Sequence, residues 1–165
     1  MRPSRPAILA AVLLLTSAAC ADAPTGDETT RSAIDAAVAA EVRPTLGTGV
    51  IILDPRIGHD EGWMDVRPPE RTEAFAKALN VKIGHHDDHY ICMGLSPSAC
   101  ALHGATTILA FSEPAVHDDS ATVRMERLDA TGSPQVPVGV QDIEILLAKS
   151  GAGWKATKMV TVHRS

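Results

Sequence analysis

The spacing of hydrophobic positions changes along the chain. From Asp27 to Val42 the sequence reads DETTRSAIDAAVAAEV. Ile34, Val38 and Val42 recur four apart on one face, with Asp27, Glu28 or Thr30 able to start a helix and Pro44 to stop it, so this stretch predicts an amphipathic helix. Val50 to Leu53, a β-branched run between Gly49 and Pro55, predicts a short strand buried on both faces. Residues 54 to 69, DPRIGHDEGWMDVRPP, are rich in Pro, Gly and charge and read as a long loop. PERTEAFAKALN then predicts a second helix, with Pro69 near its start, Phe75, Ala78 and Leu79 on one face, and Asn80 as a left-handed stop.

Beyond residue 104 the period falls to two. Thr107, Leu109 and Phe111 alternate with Thr106, Ile108 and Ala110; Ala121, Val123 and Met125 alternate with Thr122, Arg124 and Glu126, leaving one face wet. Ile143, Ile145 and Leu147 point inward before a Ser150 to Gly153 turn. Trp154, Ala156, Val160 and Val162 share one parity after it, interrupted by Lys158, whose ammonium is expected to snorkel at an edge. The pattern predicts an α+β domain, two N-terminal helices packed on a curved, mainly antiparallel sheet of four to five strands.

The first 19 residues belong to none of this. Arg2 and Arg5 precede an apolar run from Ala7 to Leu15 and then small residues up to Cys20, the grammar of a secretory signal too short to span a bilayer permanently. Two cleavage readings compete. LTSAAC resembles a lipobox, departing from it at Ser17, and would make Cys20 the lipid-bearing first residue of a bacterial lipoprotein; alternatively Ala19, Cys20 and Ala21 form an ordinary small-residue cleavage site. The expected organisation is a signal peptide over 1–19, a flexible tether over 20–29 and one domain over 30–165, placed in the cell envelope, lipid-anchored or else periplasmic or secreted.

Charge narrows the partners. The chain carries 15 basic and 20 acidic residues, and the leader removes Arg2 and Arg5, making the body more acidic than the overall −5. Phosphate backbones would repel it, so nucleic acid is not an expected partner. With two Trp, one Tyr and two Phe, the core must be aliphatic.

Chemistry concentrates in GHHDDHYICMGLSPSAC, residues 84 to 100. His89, Cys92, Cys100 and His103 have spacing that could close a tetrahedral zinc site. In an exported chain, however, Cys92 and Cys100 are expected to pair as a disulfide, which leaves no thiolate and stabilises by about 2.5 kcal/mol on a chain-entropy estimate. His85, His86 and His89 with neighbouring carboxylates remain candidate divalent-metal ligands, joined by His59, Asp60 and Glu61 only if folding brings the segments together. A triad of Ser96, His103 and Asp87 or Asp88 can be written down, but GLSPS misses the nucleophile-elbow pattern. No metalloprotease, phosphate-loop or dinucleotide motif is present, and no cofactor is expected.

The C-terminal AKSGAGWKATKMVTV resembles the final hairpin of the NTF2-like superfamily, which includes SnoaL and ketosteroid-isomerase relatives. The resemblance covers about the last third of the chain and implies a bent sheet with a pocket. No general-base carboxylate of its isomerases maps onto a numbered position. The expected function is a noncatalytic envelope domain binding a small apolar ligand or a protein partner. Alternatives are a periplasmic metal-binding protein using residues 85 to 89, and an NTF2-like enzyme with an unidentified acid or base.

Overall fold

A computed structural model describes residues 27–59, 62–94, 99–133 and 135–164. The signal peptide, Cys20, most of the tether, the side chains of His59 and Trp63, Asp60, Glu61 and Ser96 lie outside the described residues.

Helix α1 (Glu28–Val42) opens on Asp27, whose carboxylate accepts the Thr30 backbone N–H at 2.7 Å. That bond satisfies one of the amide donors a helix start leaves free. Ile34, Val38 and Val42 are fully buried, as their spacing predicts. After a 3-10 turn around Pro44, strand β1 (Ile51–His59) and β2 (Gly62–Val66) form an antiparallel hairpin. Helix α2 (Pro69–Leu79) follows and ends on Asn80 at φ 62, the predicted left-handed stop. Then come β3 (Lys82–Ile83), the single turn α3 (His86–His89), β4 (Tyr90–Cys92), β5 (Cys100–Leu102), β6 (Thr107–Phe111), β7 (Ala115–His117), β8 (Ser120–Ala130), β9 (Val138–Ser150) and β10 (Gly153–Arg164).

The α+β class holds, but the expected architecture does not. Strand outweighs helix, α1 is the main helix, and the sheet has eight strands instead of four or five. Its order is β10-β9-β8-β6-β1-β2, with β3 beside β1 and β7 beside β8, while β4 and β5 form a separate two-stranded ribbon. It is a mixed sheet, because β1 runs parallel to both β3 and β6. Nor are the helices both N-terminal to the strands, since α2 follows the β1–β2 hairpin.

Pro55 explains much of the difference. Proline lacks a ladder donor and looked like the end of a strand, yet it sits where the β1–β6 register shifts between Leu53 and Ile57. The strand bends there and continues, so most of the supposed loop is β1 and β2. The Pro55 carbonyl meanwhile accepts the Arg67 amide at 2.9 Å.

A second shift corrects the last strand. Between Ala156 and Lys158 the β9–β10 register slips, leaving Thr157 as the extra residue with its hydroxyl donating to the Leu146 carbonyl at 3.1 Å. A bulge reverses side-chain parity beyond it. Met159 therefore joins Trp154 and Ala156 against the core, and Val162, expected inward, is 60% exposed.

One face of the sheet is dry. Leu53, Leu109, Phe111, Val123, Met125, Ile145 and Leu147 pack against α1 and α2, with Phe75 meeting Phe111 edge-on at 4.8 Å between ring centroids. The opposite face carries the site.

Candidate functional site

The opposite face is divided in two. Over one half lies the β4–β5 ribbon, whose Tyr90 and Leu102 close a small cluster of Ile52, Ala105, Ile108, Leu128 and Val138. The Cys92–Cys100 disulfide links residues directly opposite each other on this ribbon, with Cα atoms 3.9 Å apart. The expected pairing is thus present, and the sulfurs of the H-x2-C-x7-C-x2-H pattern bond each other.

The other half is open and forms a groove of about 750 Å³. Phe111, Met125 and Ile143 border it but belong to the core on the far side. The positions that face it are mixed: Thr122, Arg124, Glu126, Asp142, Glu144 and His163 are polar, while Ala110 and Val162 are apolar. One row runs straight across four strands, since Ala110 pairs with Glu126, Glu126 with Asp142, and Asp142 with His163. In the next row Arg124 meets Glu144 at 3.6 Å.

Directly opposed like charges on an antiparallel pair repel. Glu126 is partly buried, and its carboxyl is pushed above the ordinary glutamate range, first by desolvation and then by Asp142; nearby His86 opposes the shift and Asp54 adds to it. The small Ala110 side chain separates Glu126 from the β1 strand that carries Asp54.

Asp54 and Arg56 join the two segments whose relation the sequence leaves open. Fully buried Asp54 accepts bonds from the Arg56 side chain, the Arg56 backbone at 2.9 Å and the His86 backbone at 2.6 Å. Burial raises its pKa, but these bonds together outweigh burial and hold the carboxyl below its usual range. Arg56 reaches on to Asp87 at 3.0 Å, so β1 and α3 are clamped together.

The three candidate metal ligands are held apart in their roles. His85 is exposed at the start of α3. His86 directs Nδ1 at Asp87, 3.1 Å away, and lies against Tyr90. His89 points Nδ1 at the His103 carbonyl, 2.8 Å away, and a Cβ on Gly84 would come within 3.0 Å of its Nε2, so the ring braces the ribbon against the chain before it. Among the described residues no three His, Cys, Asp or Glu are grouped so as to hold a metal ion. His103 offers its carbonyl to His89, while Ser96, the third element of the conceivable triad, lies outside the described residues.

Sequence reasoning missed a second polar cluster, on the helix side. Arg71 of α2 bonds Asp35 of α1 at 2.6 Å and Glu113 at 2.8 Å. Arg67 is completely buried, stacks over Phe75 at 5.1 Å, and lies 3.7 Å from Asp35; among the described residues none of its three guanidinium nitrogens has a hydrogen-bond partner. Asp35 is pushed above the usual carboxylate range because desolvation outweighs its bond to Arg71. In the one-dimensional pattern Asp35 stands between Ile34 and Ala36 with no sign that it turns inward, because its partner is 36 residues away on α2. Glu126, Asp142 and Glu144 did carry a signal, as outward positions of alternating strands, but only register brings them together.

Comparison with known proteins adds no relative: the chain matches no family model, no curated protein and no solved structure.

Proposed function

We propose that the chain is an exported binding domain of the bacterial cell envelope, anchored through lipid on Cys20, whose groove receives a small organic molecule bearing polar groups. The observation that carries this reading is the half-uncovered sheet face, a recess of about 750 Å³ with a firmly built floor. Such a volume lies within the range of small-molecule sites. An apolar ligand, expected from the sequence, would meet Ala110 and Val162 in the groove but would also cover Glu126 and Asp142 with apolar surface, so a molecule bearing polar groups suits it better. Export is supported by the leader pattern and by the Cys92–Cys100 bond, which persists in oxidising compartments. A metal-binding role for His85, His86 and His89 is less favoured, given the separate engagement of His86 and His89.

The test is a thermal-shift and NMR screen of small polar molecules against the full chain and a groove-filled variant, Thr122→Trp. Ligands that raise the melting temperature of the parent protein and lose their effect on Thr122→Trp support the reading. Equal effects on both proteins, or shifts confined to residues outside the groove, contradict it. Membrane partition lost on Cys20→Ser, with a diacylglycerol mass on the parent N-terminal peptide, tests the anchor.

A further inference from the structure

We infer that the Cys92–Cys100 bond is a reducible latch, whose cleavage releases the β4–β5 ribbon and uncovers an apolar extension of the open recess. Strand register places that extension. The row Ala110–Glu126–Asp142 lies in the open half; two residues along each strand, on the same face, Ile108 pairs with Leu128 and Leu128 with Val140, and Ile52 of β1 stands beside Ile108. Every side chain of this second row is apolar, and Ile52, Ile108 and Leu128 are buried, with Tyr90 and Leu102 of the ribbon packed on them. The covered and open halves are one continuous surface, divided by a lid.

Apart from the disulfide, the lid is lightly held. β4 and β5 pair only with each other, across three residue pairs, and take no part in the ladder of the eight-stranded sheet. A two-stranded ribbon has only marginal stability of its own in water. Its further ties are the Tyr90 and Leu102 side chains, the His89 ring on the His103 carbonyl at 2.8 Å, and the Arg56–Asp87 pair at α3. None of these residues belongs to the helix-side core, so the ribbon can part from the sheet without unfolding it. Cys92 is exposed while Cys100 is buried, so a dithiol-bearing protein attacks from solvent at Cys92. The S–S bond breaks, Cys100 leaves as a thiolate and takes up a proton, and the partner's second thiol displaces Cys92 from the mixed disulfide. Two electrons pass from the dithiol, which ends as a disulfide, and Cys92 and Cys100 end as thiols.

The test holds the methyl-labelled full chain in set ratios of reduced to oxidised dithiothreitol, with alkylation and peptide mass mapping to read Cys92 and Cys100. Once both are reduced, the methyl groups of Ile52, Ile108 and Leu128 are expected to become open to a soluble neutral nitroxide, and the amides of residues 89–93 and 99–103 to exchange about tenfold faster or more. Ile34 and Ile145, in the core on the other face, should stay shielded. Reoxidation should close the lid again. The double variant Cys92→Ser, Cys100→Ser should be open without reductant and unchanged by it. Sulfurs that yield only when the whole sheet unfolds, or reduction that leaves Ile52, Ile108 and Leu128 shielded, would overturn the latch and leave the bond a structural staple. A double variant that still opens in response to dithiothreitol would overturn it as well, since that bond is no longer there to cleave.

Discussion

The two faces of this sheet bury polar groups on different terms. On the helix face, Asp35, Arg67 and Arg71 are driven into an aliphatic core, and only Arg71 finds full partners. On the other face Asp54 is equally buried but collects bonds from Arg56 and His86, whereas Glu126 and Asp142 stay half open to the groove without partners among the described residues. Burial alone therefore does not decide a carboxylate's state: Asp35 is pushed up and Asp54 down, because the second receives enough donors to outweigh desolvation and the first does not. A dry face tolerates an awkward charge for the sake of packing. An open one leaves its charge facing the recess.

The sharpest way to break this contrast is to cut into each face equally. Ile145→Ala, at a fully buried core position, should cost about 2–5 kcal/mol in chemical denaturation, and Thr122→Ala in the groove no more than about 0.5 kcal/mol. Similar losses at the two sites would mean that the groove floor is packed against something. Within the helix face, Arg71→Met should cost about 3–5 kcal/mol by stranding Asp35 and Glu113, while Arg67→Met should be neutral or stabilising, since it removes a buried guanidinium without hydrogen bonds. A large loss from Arg67→Met would show that the 3.7 Å approach to Asp35 matters more than its geometry suggests.

The covered and open halves of the second face can be separated by the disulfide. Replacing Cys92 and Cys100 by serine should cost about 2.5 kcal/mol and speed hydrogen exchange in residues 86 to 103, leaving β8 and β9 protected. Loss of protection throughout the sheet would instead make the ribbon part of the main folding unit.

The smallest effect is in pH. Glu126 has a raised folded pKa, so its contribution is most favourable in acid and is lost as pH rises through that raised value; Glu126→Gln should be more stable than the parent above this window and indistinguishable well below the ordinary 4.5. Asp54 behaves oppositely. Its contribution is present above the ordinary 3.8 and disappears as pH falls through the lowered value, so Asp54→Asn should be less stable at neutral pH and lose less on acidification. Melting curves from pH 3 to pH 8 distinguish the two.

Periodicity made the dry face legible. Ile34, Val38 and Val42 in the helix, and Ile143, Ile145 and Leu147 in the strand, are buried as their spacing predicts. It failed where the ladder is irregular, because the single extra residue at Thr157 reverses parity and the shift around Pro55 looks like a strand end, neither leaving a strong local signature. Two- and three-residue strands such as β3, β4 and β7 are too short to show any period. The groove was legible residue by residue and illegible as a site: Glu126 and Asp142 each fall on an outward position, but that they oppose each other depends on the β8–β9 register. The crowded histidines drew attention for their composition, and His89 proved to be a brace.

The most direct measurement is the side-chain titration of Glu126 by carbon NMR, in the parent protein and in Asp142→Asn. A midpoint above that of an ordinary glutamate in the parent, falling toward the ordinary range in the variant, is expected of two carboxylates opposed inside the recess. An ordinary midpoint that stays the same in both proteins would contradict that arrangement.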